Sequence, residues 1–380
     1  MSHEVVVVGA GIVGAAVARE LSVRGVRVCL VEGGEVAGGS TGLGEGNVLC
    51  SDKDAGPELA LARAGLELYA ELETRLGERA QIRRKGALIV HRSEATWAAE
   101  PARVARLRAA GVAGSLVSVG EVRSLEPALT GELWGGSWFP DDLQCAPRAI
   151  ARALAAEAGE AGAEVLTGRR VEGVMVAGGH VHGVHTATGS LGADAVVLAA
   201  GAWSAALAAS AGLVLPIEPR KGQLVRLAVA PSAPPMLLHK VVDGAYLGSV
   251  ASAGAGLEVT TVIETTWAGD VLVGSSRERR GFDVEVDHGV SAAMLARAVR
   301  LAPRLDGLPV AGAWAGLRPW LPDGLPAIGP SRAVAGLWAA TGHEGAGVAL
   351  GPITGRLVAQ AYCVEAVAVD LEPFGPDRFA

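Results

Sequence analysis

Apolar and polar positions along the chain fall into blocks of different period. Residues 5–8 are four consecutive valines, the pattern of a strand buried on both faces. A glycine-rich turn follows. Residues 12–24 then repeat their apolar side chains at helical spacing, and 26–31 return to a β-branched run. The order is β-α-β. Farther along, 86–91, 171–176, 180–185 and 195–198 read as strands, and strand-rich sequence continues over 222–274. Apolar residues three or four apart predict helices at 58–76, 97–110, 147–159 and about 353–366.

The strands between 85 and 135 and again between 222 and 274 do not fit a simple run of β-α-β units. They predict an α/β chain, α+β overall: a Rossmann-type nucleotide-binding domain with an inserted, mostly antiparallel β-sheet substrate domain. The expected division assigns 1–85, 142–216 and 309–380 to the first domain, and 86–141 and 217–308 to the second. With 380 residues, half of them hydrophobic, the chain can bury a core of that size.

Charge and cysteine content narrow the chemistry. The net charge of −7 is mild, and no basic block extends beyond 81–85, so a nucleic-acid surface is not expected. No apolar run approaches the roughly 18 residues of a membrane span, and the N-terminus enters a strand without an export signal. A cytoplasmic protein is expected. Cys29, Cys50, Cys145 and Cys363 lie far apart and form no C-x-x-C pair, which argues against zinc or an iron–sulfur cluster. His180, His182 and His185 alternate along a strand with no carboxylate beside them, so no metal site is expected.

Gly9, Gly11 and Gly14 follow the first strand and open the first helix. The first permits the tight turn, the second lets backbone approach a pyrophosphate, and the third lets helix and strand pack closely. The helix N-terminus favours an anion there. The next strand ends at Glu32, where a carboxylate can accept from a ribose hydroxyl. Dinucleotide binding follows, but Glu32 does not choose between NAD and FAD. The glycine- and hydroxyl-rich stretch 38–47 points to FAD, because it can follow an elongated cofactor from its phosphates toward its ring. A third marker is the buried strand 196–200, which ends in the small-residue turn before Gly201, Ala202 and Trp203.

With the segments 316–329 and 340–348, supported by 219–223 and 273–278, these markers make the chain similar to the D-amino acid oxidase superfamily. That superfamily of FAD-dependent oxidoreductases includes glycine oxidase, sarcosine oxidase and the flavin subunits of D-proline, hydroxyproline and opine dehydrogenases. The resemblance runs over nearly the whole chain. It implies flavin contacts at Gly9, Gly11, Gly14, Glu32, Ser40, Thr41, Gly46, Asn47, Val171, Gly201 and Trp203. It also implies a turn at Gly342, Gly345, Gly347 and Val348 whose amides face the far edge of the flavin ring, with a helix N-terminus near Pro352 adding positive potential. By the same resemblance Arg318 is the clamp for a substrate carboxylate, suited to it by two parallel donors. Tyr246 is a candidate second donor to that carboxylate, with a core role as the alternative. His343 either orients substrate, tunes the ring or supports the turn.

The chemistry implied is hydride transfer from the α-carbon of a small amino acid or amine (glycine, a D-amino acid, D-proline or hydroxyproline, or an opine), giving an imine. Two departures from the family pattern matter. No cysteine occurs in 316–321, so the FAD is expected to be noncovalent. Glu344 follows His343 as in the dehydrogenase flavin subunits, which puts direct use of oxygen in doubt and points to electron-transfer partner subunits. Two alternatives stay open. One is FAD-dependent oxidation of a 2-hydroxy acid with His343 as base. The other is a flavin subunit inactive without its partners, in a homo- or hetero-oligomer.

Overall fold

A computed structural model describes residues 3–379. Its first sheet runs in the order Ala327–Pro330, Leu337–Thr341, Gly189–Leu198, His3–Val8, Val28–Val31, Glu164–Leu166. The valine run lies near its centre, parallel to Val28–Val31 on one side and to residues 193–198 on the other. Residues 5–8 are buried, as a strand covered on both faces must be. The 189–198 strand has two roles. Its second half joins the parallel sheet, while its first half pairs antiparallel with His180–Thr186, which in turn pairs with Val171–Ala177.

One face of this sheet is covered by Ile12–Ser22, flanked by Pro147–Glu160 and Gly347–Tyr362. Small residues set how closely these helices cross. A Cβ on Gly355 would stand 2.5 Å from the carbonyl carbon of Ala16, and one on Gly351 would stand 3.0 Å from Ile12 Cγ2. The last helix therefore lies directly against the first, which brings both N-termini to one end of the sheet.

The second sheet has the order Val310–Trp320, Glu218–Leu227, Val271–Arg277, Glu258–Thr265, Lys240–Asp243, Ala87–His91, Gly135–Phe139, Ser115–Val117. It is antiparallel except where Lys240–Asp243 meets Ala87–His91. Period-two alternation gives it two unlike faces. Val225, Leu227, Ile263, Val271 and Val273 pack with Val290, Met294, Ala298 and Leu301 of the helix His288–Leu301. Gly222 and Leu224 face a cavity against the first layer.

Several elements differ from the sequence expectation. The last helix begins at Gly347, so Pro352 lies inside it rather than at its N-terminus. Residues 344–346 form a 3-10 turn leading into it. Within the strand-rich stretch 222–274, Ala245–Ala251 is helical. The helix His288–Leu301 was not foreseen, although Asp287 caps it by accepting from the amides of Gly289 and Val290. Strand 310–320, grouped by the expected division with the nucleotide-binding pieces, pairs along its length with 218–227 in the second sheet.

Candidate active site

A cavity of about 840 Å³ runs between the two layers, from the Gly9 turn to the 343–348 turn. At its first end Gly9 has φ +102°, and a Cβ there would stand 2.6 Å from the carbonyl oxygen of Ala199. Only glycine fits both constraints. Gly14 does not line the cavity. It lies against the turn itself, where a Cβ would fall 1.8 Å from Gly9 O. Glu32 accepts from the amides of Ala10 and Gly34, each at 2.8 Å, so its carboxylate is fixed at the cavity wall.

Ser40–Leu43 form a 3-10 turn tied to both layers. Thr41 Oγ1 accepts from the amide of Ile12 at 3.1 Å, and Ser40 Oγ donates to the carbonyl of Leu317. Gly46, Asn47, Val171, Gly201 and Trp203 also line the cavity. Thr341 Oγ1 donates to Gly201 O at 3.1 Å, joining the turn after one parallel strand to the end of its neighbour.

At the far end stand Gly345, Gly347 and Val348. No side chain caps the helix that starts at Gly347, so its first amides have no intrahelical acceptor. Gly342 is absent from the lining. It turns the chain with φ +80° against Leu321, whose Cδ1 would be 2.2 Å from an added Cβ.

Arg318, Tyr246 and His343 all line this end. Arg318 lies opposite Arg220 in the strand register, and its Nη1 donates to Ser276 O at 3.0 Å. Its guanidinium occupies the space above Gly222, where a Cβ would be 2.1 Å from Nη1. Burial and the neighbouring Arg277 charge both lower the pKa of Arg318. Tyr246 lies in the first turn of the 245–251 helix, and its ring lies 4.5 Å from the Arg277 guanidinium, a cation–π contact. His343 is buried, and its Nε2 pairs with Thr354 Oγ1 at 2.9 Å. Burial pushes its pKa down to about 3, so the ring is neutral at ordinary pH.

Four further charged residues stand here: Arg220, Arg277 and Glu45, which the sequence did not single out, and Glu344, which it marked only as a departure from the family pattern. Glu344 Oε1 lies 3.7 Å from Arg220 Nη1, 3.6 Å from Arg277 Nε and 3.9 Å from Arg318 Nε. Burial pushes the Glu344 carboxyl up, but the three guanidiniums outweigh it and hold it below the usual carboxylate range. Glu45 lines the cavity and accepts from Lys240 Nζ at 2.8 Å, and Lys240 also faces Glu264 at 3.3 Å. The two inner arginines had one signal in the sequence, since they lie in the segments 219–223 and 273–278 that support the family resemblance.

A profile described as DAO, FAD dependent oxidoreductase, matches residues 4–361. The chain belongs to this family. Among curated relatives, glycine oxidase of Geobacillus kaustophilus is 32% identical, with 99% of this chain and 97% of that protein covered. A bifunctional protein ThiO/ThiG of Nostoc sp. is 30% identical over 94% of this chain, which spans about half (52%) of that protein's length. The crystal structure of the Geobacillus kaustophilus glycine oxidase superposes with a TM-score of 0.90 at 29% identity, covering 99% of each chain.

FAD is the cofactor of the family, and the cavity fits it: the open glycine turn and the helix N-terminus beside it would take the diphosphate, Glu32 would take a ribose hydroxyl, and the helix starting at Gly347, which no side chain caps, stands at the opposite end. None of the four cysteines lines the cavity. Among the described residues, no helix is long and apolar enough to cross a membrane. One group of metal-ligand type, His3, Cys29 and Glu164, has its ligand atoms within 4.8 Å of one another, but none of the three lines the cavity.

Proposed function

We propose that the protein oxidises a small amino acid or related amine at its α-carbon, in the glycine, D-amino acid, D-proline, hydroxyproline or opine class. The observation that carries the reading is Arg318: a guanidinium held over Gly222, facing the cavity at the same end as the uncapped helix at Gly347. A carboxylate on Arg318 and an α-carbon beside the 345–348 turn suit an amino acid.

Bound FAD supplies the two-electron acceptor for the hydride leaving the α-carbon. The protein's own residues bind and orient. Arg318 holds the carboxylate, Tyr246 is placed to support it, and the first amides of the 347–362 helix offer positive potential where negative charge develops. The substrate reacts as the neutral amine: loss of the hydride leaves an iminium, which gives up a proton to water as the imine, and the imine is hydrolysed or persists when cyclic.

Oxidation of a 2-hydroxy acid requires a base to take the hydroxyl proton. His343 is a poor candidate, because burial holds its pKa at about 3 and its Nε2 is engaged with Thr354. The test is anaerobic bleaching of the flavin by a panel of glycine, D-alanine, D-proline and hydroxyproline, set against glycolate and D-lactate. Bleaching by the hydroxy acids and by no amine overturns the reading. Bleaching by no panel compound alone, but by one after co-purification with a partner, favours a flavin subunit that needs its partner. Oxygen uptake compared with dye reduction identifies the electron acceptor.

A further inference from the structure

Glu45 lines the cavity, and its two oxygens have different surroundings. Oε2 accepts from Lys240 Nζ at 2.8 Å and from Asn47 Nδ2 at 3.0 Å. Oε1 accepts from no described residue and, unlike both oxygens of Glu264, is not closed off within the protein. A counter-ion for Lys240 needs only Oε2, and Lys240 already faces Glu264 at 3.3 Å. Burial pushes the Glu45 carboxyl up, but Lys240, with Asn47 and Arg318 behind it, outweighs burial and holds it below the usual carboxylate range. An ionised oxygen is therefore left facing the cavity. Glu344 offers none, since its Oε1 is closed in among three guanidiniums and its Oε2 accepts from the amide of Gly345.

Glu45 Oε1 stands over Gly274, where a Cβ would fall 2.2 Å from it, much as Arg318 Nη1 stands over Gly222. The two glycines lie on the paired strands 271–277 and 218–227. Leu224, which lines the cavity, would be 2.9 Å from the same Gly274 Cβ, so both glycines face that side of the sheet. An anion and a cation thus share one sheet face without pairing: Glu45 holds Lys240, and Arg318 holds Ser276 O.

We propose that Glu45 Oε1 accepts an N–H of the reacting amine and stabilises the positive charge that forms on its nitrogen, while Arg318 holds the carboxylate of the same molecule. In an α-amino acid one carbon joins the two groups, so a carboxylate on Arg318 and a nitrogen on Glu45 leave the α-carbon between them. As that carbon loses its hydride, the C–H electron pair goes with the hydrogen to the bound FAD, and the nitrogen lone pair closes the C=N bond. The nitrogen passes from neutral to positive, and stays so until the iminium gives a proton to water. A fixed anion beside it interacts more strongly with the charged nitrogen than with the neutral amine, which lowers the barrier. The guanidiniums nearby would otherwise oppose a new positive charge. The proposal rests on the amine-oxidation reading above and adds to it the residue that favours charge on nitrogen.

The test uses the FAD-loaded protein and its Glu45→Gln variant. The substrate is the amino acid that best bleaches the wild-type flavin, and the limiting rate of anaerobic flavin reduction is followed against pH. A second probe is the deaminated carboxylate (acetate for glycine, propionate for D-alanine, cyclopentanecarboxylate for D-proline), whose binding is read from the shift of the flavin absorbance bands. At the alkaline plateau, where the bound amine is neutral, the variant should reduce about ten- to a hundredfold more slowly, the range for a hydrogen bond to a charged group. Its plateau should be reached at lower pH, because the bound ammonium loses the anion that stabilised it. Carboxylate affinity should be unchanged or increased, and Glu45→Asp should recover part of the lost rate. An unchanged plateau rate, an unshifted profile, or carboxylate binding weakened as much as the rate overturns the proposal and leaves the amine-oxidation reading standing. If no amine bleaches the wild type, both fall together. If Glu45→Gln does not retain FAD, the wild type decides. There, 1-pyrroline-2-carboxylate protonated on nitrogen must bind at least about tenfold more tightly than 1-cyclopentene-1-carboxylate, the same skeleton without the nitrogen, and equal affinity overturns the proposal.

Discussion

Arg318 and Arg220 stand directly opposite one another on neighbouring antiparallel strands, yet only Arg318 lines the cavity. Like charges at opposed positions repel. The arrangement holds because Glu344 approaches both, and because Gly222 leaves room for the outer guanidinium. Arg220 is 1% exposed, whereas the side chain of Arg318 keeps 19% of its surface open, so the two serve different ends.

Replacing Arg318→Leu should leave the FAD spectrum intact and weaken binding of the substrate carboxylate by about 2–5 kcal/mol, as for truncation of one partner in a charge pair. Titration with the best-reducing amino acid checks it. Unchanged saturation removes Arg318 from the substrate site.

Gly222→Ala tests the same clamp without changing its charge. The added methyl would stand 2.1 Å from Arg318 Nη1, so the guanidinium must move. An increase in KM of about tenfold, equivalent to 1.4 kcal/mol, is expected with FAD content preserved. A fully active variant shows that Arg318 has freedom the structure does not suggest.

Gly9→Ala should act at the opposite end. Its methyl meets Ala199 O at 2.6 Å, and φ +102° is unfavourable for alanine. FAD should be lost on ultrafiltration under conditions in which the wild type keeps it, and the flavin absorbance of the retained protein measures this.

His343 predicts a pH dependence of stability. Its pKa in the folded protein is about 3, against 6.5 for the free side chain. As pH falls below 6.5 the unfolded chain takes up the proton first, so stability present above 6.5 drains away toward pH 3, at up to about 1.4 kcal/mol per pH unit. Urea midpoints at pH 7, 5 and 4 should fall more steeply for wild type than for His343→Gln. Parallel slopes contradict a buried, neutral His343.

The sequence by itself determined what depends on local geometry. A valine run, a turn that only glycine can make and a helical apolar stripe specify the nucleotide end wherever they occur, because each acts over a few neighbouring residues. The strand-rich insert was legible as a class for the same reason, although helices 245–251 and 288–301 lay hidden in sequence that carries both strand and helix signals. Glu344 stood in plain view beside His343, but its surroundings did not. Arg220, Arg277 and Arg318 come from three strands, and they meet Glu344 only because 218–227 lies between 310–320 and 271–277 in the sheet order. Which strands become neighbours is decided by long-range pairing and by the helix that covers the opposite face, so tertiary structure alone turned scattered charges into a pocket with an anion and a cation on its walls.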